Sequence, residues 1–401
     1  MERSDSGAVY SVTDLSLVQL NSRFGSFELR RFPIKEKDTL RAWDAADEYL
    51  LNELAERECL HADSRILLIN DQFGALAVSL SAYQPTSWSD SHLARLALEA
   101  NCQANSLPDN SIESVESTQI PDAEKPFDLV LIKVPKTLAL LEYQLSALRE
   151  ICAPGAVIVG GGMVKAIHTS TLKLFEKYVG ATISSLAKKK ARLIKPQLEP
   201  VDQSSVTLPN KVKKATSYIL ENTEFSIHNH PNVFSRESLD IGTRFFLEYL
   251  PSSREALNIV DLGCGNGVVG LIAAVKNPQA SLIFKDESYL ALASARDTFT
   301  SAFGDSRRAE FEAADCLGSI EPNSVDLVLN NPPFHQQNVV GEMVAWQMFQ
   351  ESYAALVKGG ELWVIGNRHL DYQKKLTRLF GHCELVAMNK KFMVLKASKR
   401  R

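Results

Sequence analysis

The sequence predicts an α/β protein in which one open, mostly parallel sheet is built twice in tandem, the second copy intact and the first degenerate. Three observations carry this. From about residue 215 to the end, apolar runs of strand length alternate with helical stretches. The run at 259–262 leads into Gly263-Cys264-Gly265-Asn266-Gly267 and then a helix start at Val268. Landmarks of this half recur at similar spacing in the opening 195 residues.

The recurrences are specific. Arg65-Ile66-Leu67-Leu68-Ile69-Asn70-Asp71-Gln72-Phe73-Gly74 stands where the glycine-rich segment should be, with Gly74 the one glycine left. Phe127-Asp128-Leu129-Val130-Leu131-Ile132-Lys133-Val134-Pro135-Lys136 parallels Val325-Asp326-Leu327-Val328-Leu329-Asn330-Asn331-Pro332-Pro333-Phe334, without the polar and aromatic tip. Ala153-Pro154-Gly155 parallels Val357-Lys358-Gly359. The expected organisation is a degenerate domain at 1–195, a proline-bearing polar linker at 196–214 and an intact domain at 215–401.

Within the second domain the expected order is strand 259–262, helix from 268, strand 282–284, helix from 288, strand 308–313 and strand 325–329. Helix 342–357, strand 361–365 and helix 372–380 follow. The last two strands, 384–387 and 392–396, are joined by Met388-Asn389-Lys390-Lys391 and read as a hairpin. A parallel sheet closed by an antiparallel hairpin differs at this point from an all-parallel dinucleotide fold.

Two motifs carry chemistry. A glycine-rich turn alone would also suit a dinucleotide. Asp261 before the glycines, able to take an amino group directly or through water, and Asp286 at the next strand end, placed for two ribose hydroxyls, favour S-adenosylmethionine. The expected cofactor residues are Asp261, Gly263, Gly265, Gly267 and Asp286, with Glu287 the alternative ribose ligand. Asp315 follows the strand at 308–313 and is a further candidate cofactor residue, for the adenine amine by the resemblance given below; a solvated loop acid is the alternative. The second motif is Asn331-Pro332-Pro333-Phe334. Two prolines stiffen it and remove backbone donors. Asn331 and the Pro332 carbonyl then stand as acceptors beside the Phe334 ring, which suits a planar base carrying an exocyclic amine. His335 is either a proton relay or a plain loop residue.

Other classes are set aside. Six scattered cysteines form no CxxC pair, so neither zinc nor disulfides are expected, and reduced, cytoplasmic thiols are. The segment MERSDSGAVYSV has no apolar core of a signal peptide, and no stretch approaches membrane-spanning length. His228 and His230 lack a third ligand, so no metal is expected; their segment reads as a substrate-covering loop, with Phe234 walling the pocket. A net charge of −4 does not announce a nucleic-acid binder, so that role must rest on a local patch. One exists: Lys173, Lys177, Lys188, Lys189, Lys190, Arg192 and Lys195, opposed within the stretch by Glu176 alone. Lys188, Lys189, Lys190 and Arg192 are the expected RNA phosphate contacts.

Asp261 to Gly267, Asp286 and the Asn331 motif together resemble a class I (Rossmann-like) methyltransferase of the Asn-Pro-Pro-Phe/Tyr type, which acts on exocyclic base amines or amide nitrogens. Over nearly its whole length the chain resembles the bacterial ribosomal RNA guanine-N2 methyltransferases that pair a degenerate domain with an active one. Asn232-Val233-Phe234-Ser235-Arg236-Glu237-Ser238-Leu239-Asp240, Val260-Asp261-Leu262-Gly263-Cys264-Gly265-Asn266-Gly267 and Asn330-Asn331-Pro332-Pro333-Phe334-His335-Gln336 carry that resemblance. Glu361-Leu362-Trp363-Val364-Ile365-Gly366-Asn367-Arg368 and Asn389-Lys390-Lys391-Phe392-Met393-Val394 look like the large-subunit (23S) branch rather than the 16S one. The resemblance implies S-adenosylmethionine as donor, guanine N2 as acceptor, catalytic roles for Asn331, Pro332 and Phe334, and ribosomal RNA as partner, with no obligate protein partner. Rival readings are a protein glutamine or DNA adenine methyltransferase, and a non-enzymatic RNA-binding assembly protein.

Overall fold

A computed structural model describes residues 18–33, 40–122, 124–198, 215–255, 257–333 and 339–400. The chain divides into two compact units, Met1–Thr207 and Leu208–Arg401. Residues 199–214 of the expected linker, including a second basic cluster of Lys211, Lys213 and Lys214, lie outside the described residues, as do Phe334 and His335.

The first unit opens with a hairpin, β1 (Gln19–Ser22) and β2 (Gly25–Glu28), followed by α1 (Ala45–Arg57), β3 (Ile66–Ile69) and α2 (Ala75–Ser79). Next come β4 (Thr86–Ser89), α3 (His92–Ala104), β5 (Glu113–Glu116), β6 (Phe127–Lys133) and α4 (Leu138–Ile151). It closes with β7 (Cys152–Met163), α5 (Thr169–Tyr178), β8 (Thr182–Ser184) and β9 (Ala191–Pro196). Pro196, assigned to the linker from its sequence, is thus the last residue of a strand.

The second unit opens with the hairpin β10 (Thr216–Ile219) and β11 (Ser226–Asn229), which the sequence pattern did not signal, and then α6 (Ile241–Tyr249). It continues as β12 (Asn258–Leu262), α7 (Val268–Lys276), β13 (Ser281–Asp286), α8 (Tyr289–Phe303), β14 (Ala309–Ala313) and β15 (Val325–Asn330). The end is α9 (Val339–Ala355), β16 (Leu356–Asn367), α10 (Tyr372–Phe380), β17 (Glu384–Met388) and β18 (Phe392–Ser398).

Both units hold a seven-stranded sheet of one topology, ordered β5-β4-β3-β6-β7-β9-β8 in the first and β14-β13-β12-β15-β16-β18-β17 in the second. Pairing is parallel up to β7 and β16, and antiparallel for the closing strands β9 and β18. In the second sheet the inner strands are apolar on both faces, as strands covered by helices on two sides must be. Ile259, Leu282, Phe284, Leu327 and Leu329 enter one core; Val260, Leu262, Val328, Leu362 and Val364 enter the other. The parity follows from the two-residue period of a strand.

The likeness between the two units extends to irregularities. Helix α9 ends before the expected residue 357, and β16 already pairs at Leu356 with Val325. Val357-Lys358-Gly359-Gly360 is a bulge inside that strand, with Gly359 at φ 87°, and not a connecting loop. The first unit has the same register shift between Phe127 and Leu129, with Gly155 at φ 78°.

Candidate active site

Sheet order places the site. The connection direction reverses between β12 and β15, so their carboxyl ends flank the crevice where open α/β sheets bind ligands. Across the sheet stand, in turn, the segment after β14 with Asp315, the end of β13 with Asp286, the glycine-rich turn after β12, and Asn331 after β15. Backbone bonds lock them together. Gly263 and Cys264 N–H groups donate to the Lys285 carbonyl at 2.8 and 3.0 Å, and Ala314 N–H to the Asp286 carbonyl at 3.1 Å.

The glycines have separable reasons. Gly267 caps α7 at φ 76°, and a Cβ there would lie 2.8 Å from Ala295 Cα, so close helix packing requires it. Gly74, at φ 80° and equally pressed by Leu98, keeps that role in the first unit. Gly265 is different. It sits at φ 55°, a Cβ there would meet nothing within 4 Å, and its N–H donates to Asp286 Oδ2 at 2.9 Å. Its bare backbone is therefore a free approach surface for a ligand.

Asp286 accepts the Gly265 N–H on one oxygen, the Ser288 N–H on the other at 3.0 Å and the Glu287 N–H as well; with about four lone-pair sites, the carboxylate can still accept a hydroxyl donor. Burial pushes its carboxyl upward against these bonds. Glu287, the alternative, is exposed. Asp315 is half-buried and accepts from Gln347 Nε2 at 3.1 Å, while Gln347 also donates to Glu351 at 2.9 Å, so α9 positions this acid. Lys285 is not loose at the strand end. Its buried ammonium donates to Glu312 and to Ser319 Oγ.

Asp261 is 2% exposed, and its Oδ2 accepts the Gly270 N–H at 2.8 Å. Gly267 has no side chain to cap α7, so this remote carboxylate caps it. Burial raises the Asp261 carboxyl from an ordinary 3.8 to about 8, partly opposed by the Gly270 bond. A carboxyl raised in the folded state contributes stability that is full below its unfolded value and lost as pH rises through the folded one. For Asp261→Asn, in protein free of S-adenosylmethionine, the unfolding midpoint is expected to gain on wild type as pH rises from 5 to 8. Parallel midpoint-versus-pH curves for the two proteins would show that the carboxyl carries no such proton.

Asn331 is half-buried. Its Nδ2 donates to Thr243 Oγ1 at 3.0 Å, and its Oδ1 is buried without a hydrogen-bond partner among the described residues. Among the described residues Asn277, Asn330 and Asn367 Oδ1 are in the same state, so what singles out Asn331 Oδ1 is its place at the crevice beside the glycine-rich turn. Beside it, Asn330 Nδ2 donates to the Leu262 carbonyl at 2.9 Å and ties the ends of β12 and β15 together. Pro332 is buried and Pro333 exposed. The segment before α6 is pinned to the glycine-rich turn, where Asn266 Nδ2 donates to Asn229 Oδ1 at 2.9 Å. His230 faces Asp297 at 2.8 Å, and Phe234 is 50% exposed. No cluster with metal-ligand composition occurs among the described residues.

The first unit carries different residues at the corresponding positions. Strand register puts Leu68 where Asp261 stands, Ser89 where Asp286 stands and Lys133 where Asn331 stands. Asn70 takes the place of Gly263 at φ 62° and exchanges two amide bonds with Gln144, at 2.9 and 2.7 Å. Asp71 caps α2 by accepting from Leu76 and Ala77 N–H groups at 2.9 and 2.8 Å. Lys133 Nζ lies 2.8 Å from Asp44 and 2.7 Å from Asp47. These polar groups satisfy one another, whereas in the second unit Asn331 Oδ1 has no partner among the described residues.

The donor set of the second unit fits S-adenosylmethionine: an open glycine backbone, a carboxylate that can still accept a hydroxyl donor, and an amide oxygen at the adjoining strand end with no partner among the described residues. Comparison with known proteins agrees. The RLMG N-terminal domain family matches residues 18–200 and the methyltransferase small domain family residues 224–396. The ribosomal RNA large subunit methyltransferase G of Yersinia enterocolitica is 50% identical, over 93% of this chain and 92% of its own length. The chain belongs to the ribosomal RNA large subunit methyltransferase G family. The family's Stutzerimonas stutzeri member is 48% identical over 95% of this chain and 99% of its own. The fold also matches the T. thermophilus 16S rRNA N2 G1207 methyltransferase RsmC in complex with AdoMet and guanosine, at TM-score 0.73, 20% identity and 95% and 97% coverage. Sequence reasoning missed Thr243, Asn330, Gln347 and the Asn229–Asn266 pair; each acts through a partner distant in sequence.

Proposed function

We propose that this chain transfers a methyl group from S-adenosylmethionine to the exocyclic N2 of a guanine in 23S rRNA. The observation that carries the chemistry is Asn331 Oδ1, a buried acceptor at the end of β15 with no partner among the described residues. Large-subunit relatives carry the choice of RNA.

Asp261, Gly263, Gly265, Gly267, Asp286 and Asp315 would hold S-adenosylmethionine, which when bound supplies an electrophilic methyl on a sulfonium. The rest falls to Asn331 and Pro332. A guanine amine is a weak nucleophile because its lone pair is delocalised into the ring. Accepting its two hydrogens on Asn331 Oδ1 and the Pro332 carbonyl favours the pyramidal form and frees that pair. The same contacts orient it, so the rate gain comes from positioning and preorganised electrostatics. No strong base is required, because the amine proton becomes acidic only as the N–C bond forms. Phe334 is assigned the face of the base.

The first unit grips flanking RNA with Lys188, Lys189 and Lys190. It has Leu68 and Ser89 in place of the two cofactor acids and Asn70 in place of Gly263, so isothermal titration is expected to give one S-adenosylmethionine site per chain. That site should vanish in Asp261→Ala with Gly265→Val. Two sites, or binding that survives the double substitution, would overturn the assignment. No described helix is long and apolar enough to cross a membrane, and a ribosomal substrate supports a cytoplasmic location.

The deciding experiment is tritiated methyl transfer to 23S and 16S RNA, each offered free and as subunits. Label on N2-methylguanine in 23S RNA is expected; label confined to 16S RNA would reverse the branch. Label in protein or in DNA adenine would replace the substrate class.

A further inference from the structure

We propose that Thr243 is a positioning residue for methyl transfer, acting by fixing which end of the Asn331 amide faces the target amine. The inference rests on the reading that Asn331 Oδ1 accepts that amine. The two ends of an amide are chemically opposite: Nδ2 carries two donors and Oδ1 only acceptors. Presented the wrong way round, Asn331 would oppose donors to donors.

Thr243 Oγ1 lies 3.0 Å from Asn331 Nδ2. A hydroxyl can donate or accept, so that contact alone leaves the sense of the amide open. Asp240 removes the ambiguity. Its Oδ2 lies 3.4 Å from Thr243 Oγ1 and accepts the Thr243 N–H at 2.9 Å. A carboxylate only accepts, so the hydroxyl proton goes to Asp240 and the hydroxyl lone pairs are left for the amide. Nδ2 must then face Thr243, and Oδ1 must face away from it. The polarity runs in one direction, carboxylate to hydroxyl to amide to substrate amine. Both controlling residues belong to the start of α6, with Asp240 as its N-cap and Thr243 three residues on.

The first unit gives an internal comparison. Asp44 is the N-cap of α1, and Asp47 stands three residues on. Lys133, the counterpart of Asn331, meets both. The same backbone arrangement therefore brings the third residue of a helix to the residue after a strand in each unit. With Asp and Lys there, the pair closes on itself; with Thr and Asn, one acceptor is held outward.

The test uses the full chain, S-adenosylmethionine and 23S rRNA. Thr243→Val keeps the β-branched shape and removes the acceptor. Its kcat is expected to fall about 10- to 100-fold, below the ~10²–10³ typical when a direct stabilising group is removed. S-adenosylmethionine affinity and the KM for RNA should stay near wild type. Thr243→Ser should restore most of kcat. In an Asn331→Asp background both oxygens accept, orientation no longer matters, and Thr243→Val should cost little, a non-additivity that a purely structural role would not produce. If Thr243→Val keeps wild-type kcat while Asn331→Ala is inactive, the proposal is wrong and the Asn331 reading stands. If Ser and Val variants lose kcat equally, the proposal is likewise overturned. If Asn331→Ala turns over normally, both fall.

Discussion

Asn331→Ala is expected to lower kcat by roughly 10²- to 10³-fold, the loss typical of removing a preorganised group from the reacting centre. Affinity for S-adenosylmethionine should be nearly unchanged. The residue stands beyond the glycine-rich turn, and its side chain is tied to Thr243, whereas the glycine-rich turn is held by Asp286. Truncation therefore removes an acceptor for the amine without opening the cofactor cradle. Folding should survive, because a single net hydrogen bond is worth about 1 kcal/mol and the deleted acceptor has no partner among the described residues. An effect in kcat with binding intact marks an interaction that matters in the transition state. Single-turnover methyl transfer together with calorimetric affinity separates the two quantities. Turnover near wild type would remove the mechanism proposed for this motif.

Much of the second unit was legible because its strands are short, apolar on both faces and punctuated by glycine, proline or a capping residue. Ser288 before α8 and the turn at Asn389 were readable on such local chemistry, since each side chain bonds backbone two or three residues away. Lys358-Gly359-Gly360 looked like a connection because Gly-Gly usually ends an element. Strand pairing with β15 overrode that local preference. The site was half legible. Asn331, Asp286 and Gly265 announce themselves by residue type and by position at strand ends. Thr243 does not: it is 88 residues from Asn331, and a threonine in the first turn of a helix has an ordinary local reason to be there. The same holds for Gln347, whose bond to Asp315 spans 32 residues.

Charge counted along the chain misled in a similar way. The basic stretch of the first unit seemed opposed by Glu176 alone. Folding brings Glu48, Glu53 and Glu142 against Lys189, Lys195 and Lys177, at 2.8, 2.7 and 3.0 Å. Arg192 is half-buried in β9, and its Nε is shielded without a partner among the described residues, so it is a poorer phosphate ligand than its neighbours. What remains is the tip of the β8–β9 hairpin, where Lys188, Lys189 and Lys190 are all exposed although Lys189 shares its charge with Glu48 and Lys188 lies 4.7 Å from the centre of the Tyr49 ring.

That tip yields the second large expected effect. Lys188 and Ala191 exchange backbone bonds at 2.9 and 2.8 Å around Lys189 and Lys190, whose φ angles are 47° and 66°. This is a two-residue hairpin turn with both central residues left-handed, the place where Asn-Gly is strongly favoured. A long side chain there costs roughly 1 to 2 kcal/mol per residue, so two lysines sacrifice stability for charge at an exposed point. Strain tolerated at an exposed charged site is a reason to assign it function. Lys189→Asn with Lys190→Gly should therefore raise the unfolding midpoint and at the same time weaken RNA binding. Adding Lys188→Gln should weaken it further, to roughly tenfold overall, and flatten the log–log salt dependence by about 0.7 for each phosphate of single-stranded RNA that is no longer neutralised. S-adenosylmethionine affinity should not change, since these residues lie outside the unit that holds its site. A guanine must leave its stack before N2 reaches Asn331, at a cost of a few kcal/mol, and a basic grip on flanking RNA offsets that cost without reading sequence. A stabilised variant with wild-type RNA affinity and an unchanged salt slope would show that these lysines only solvate the hairpin.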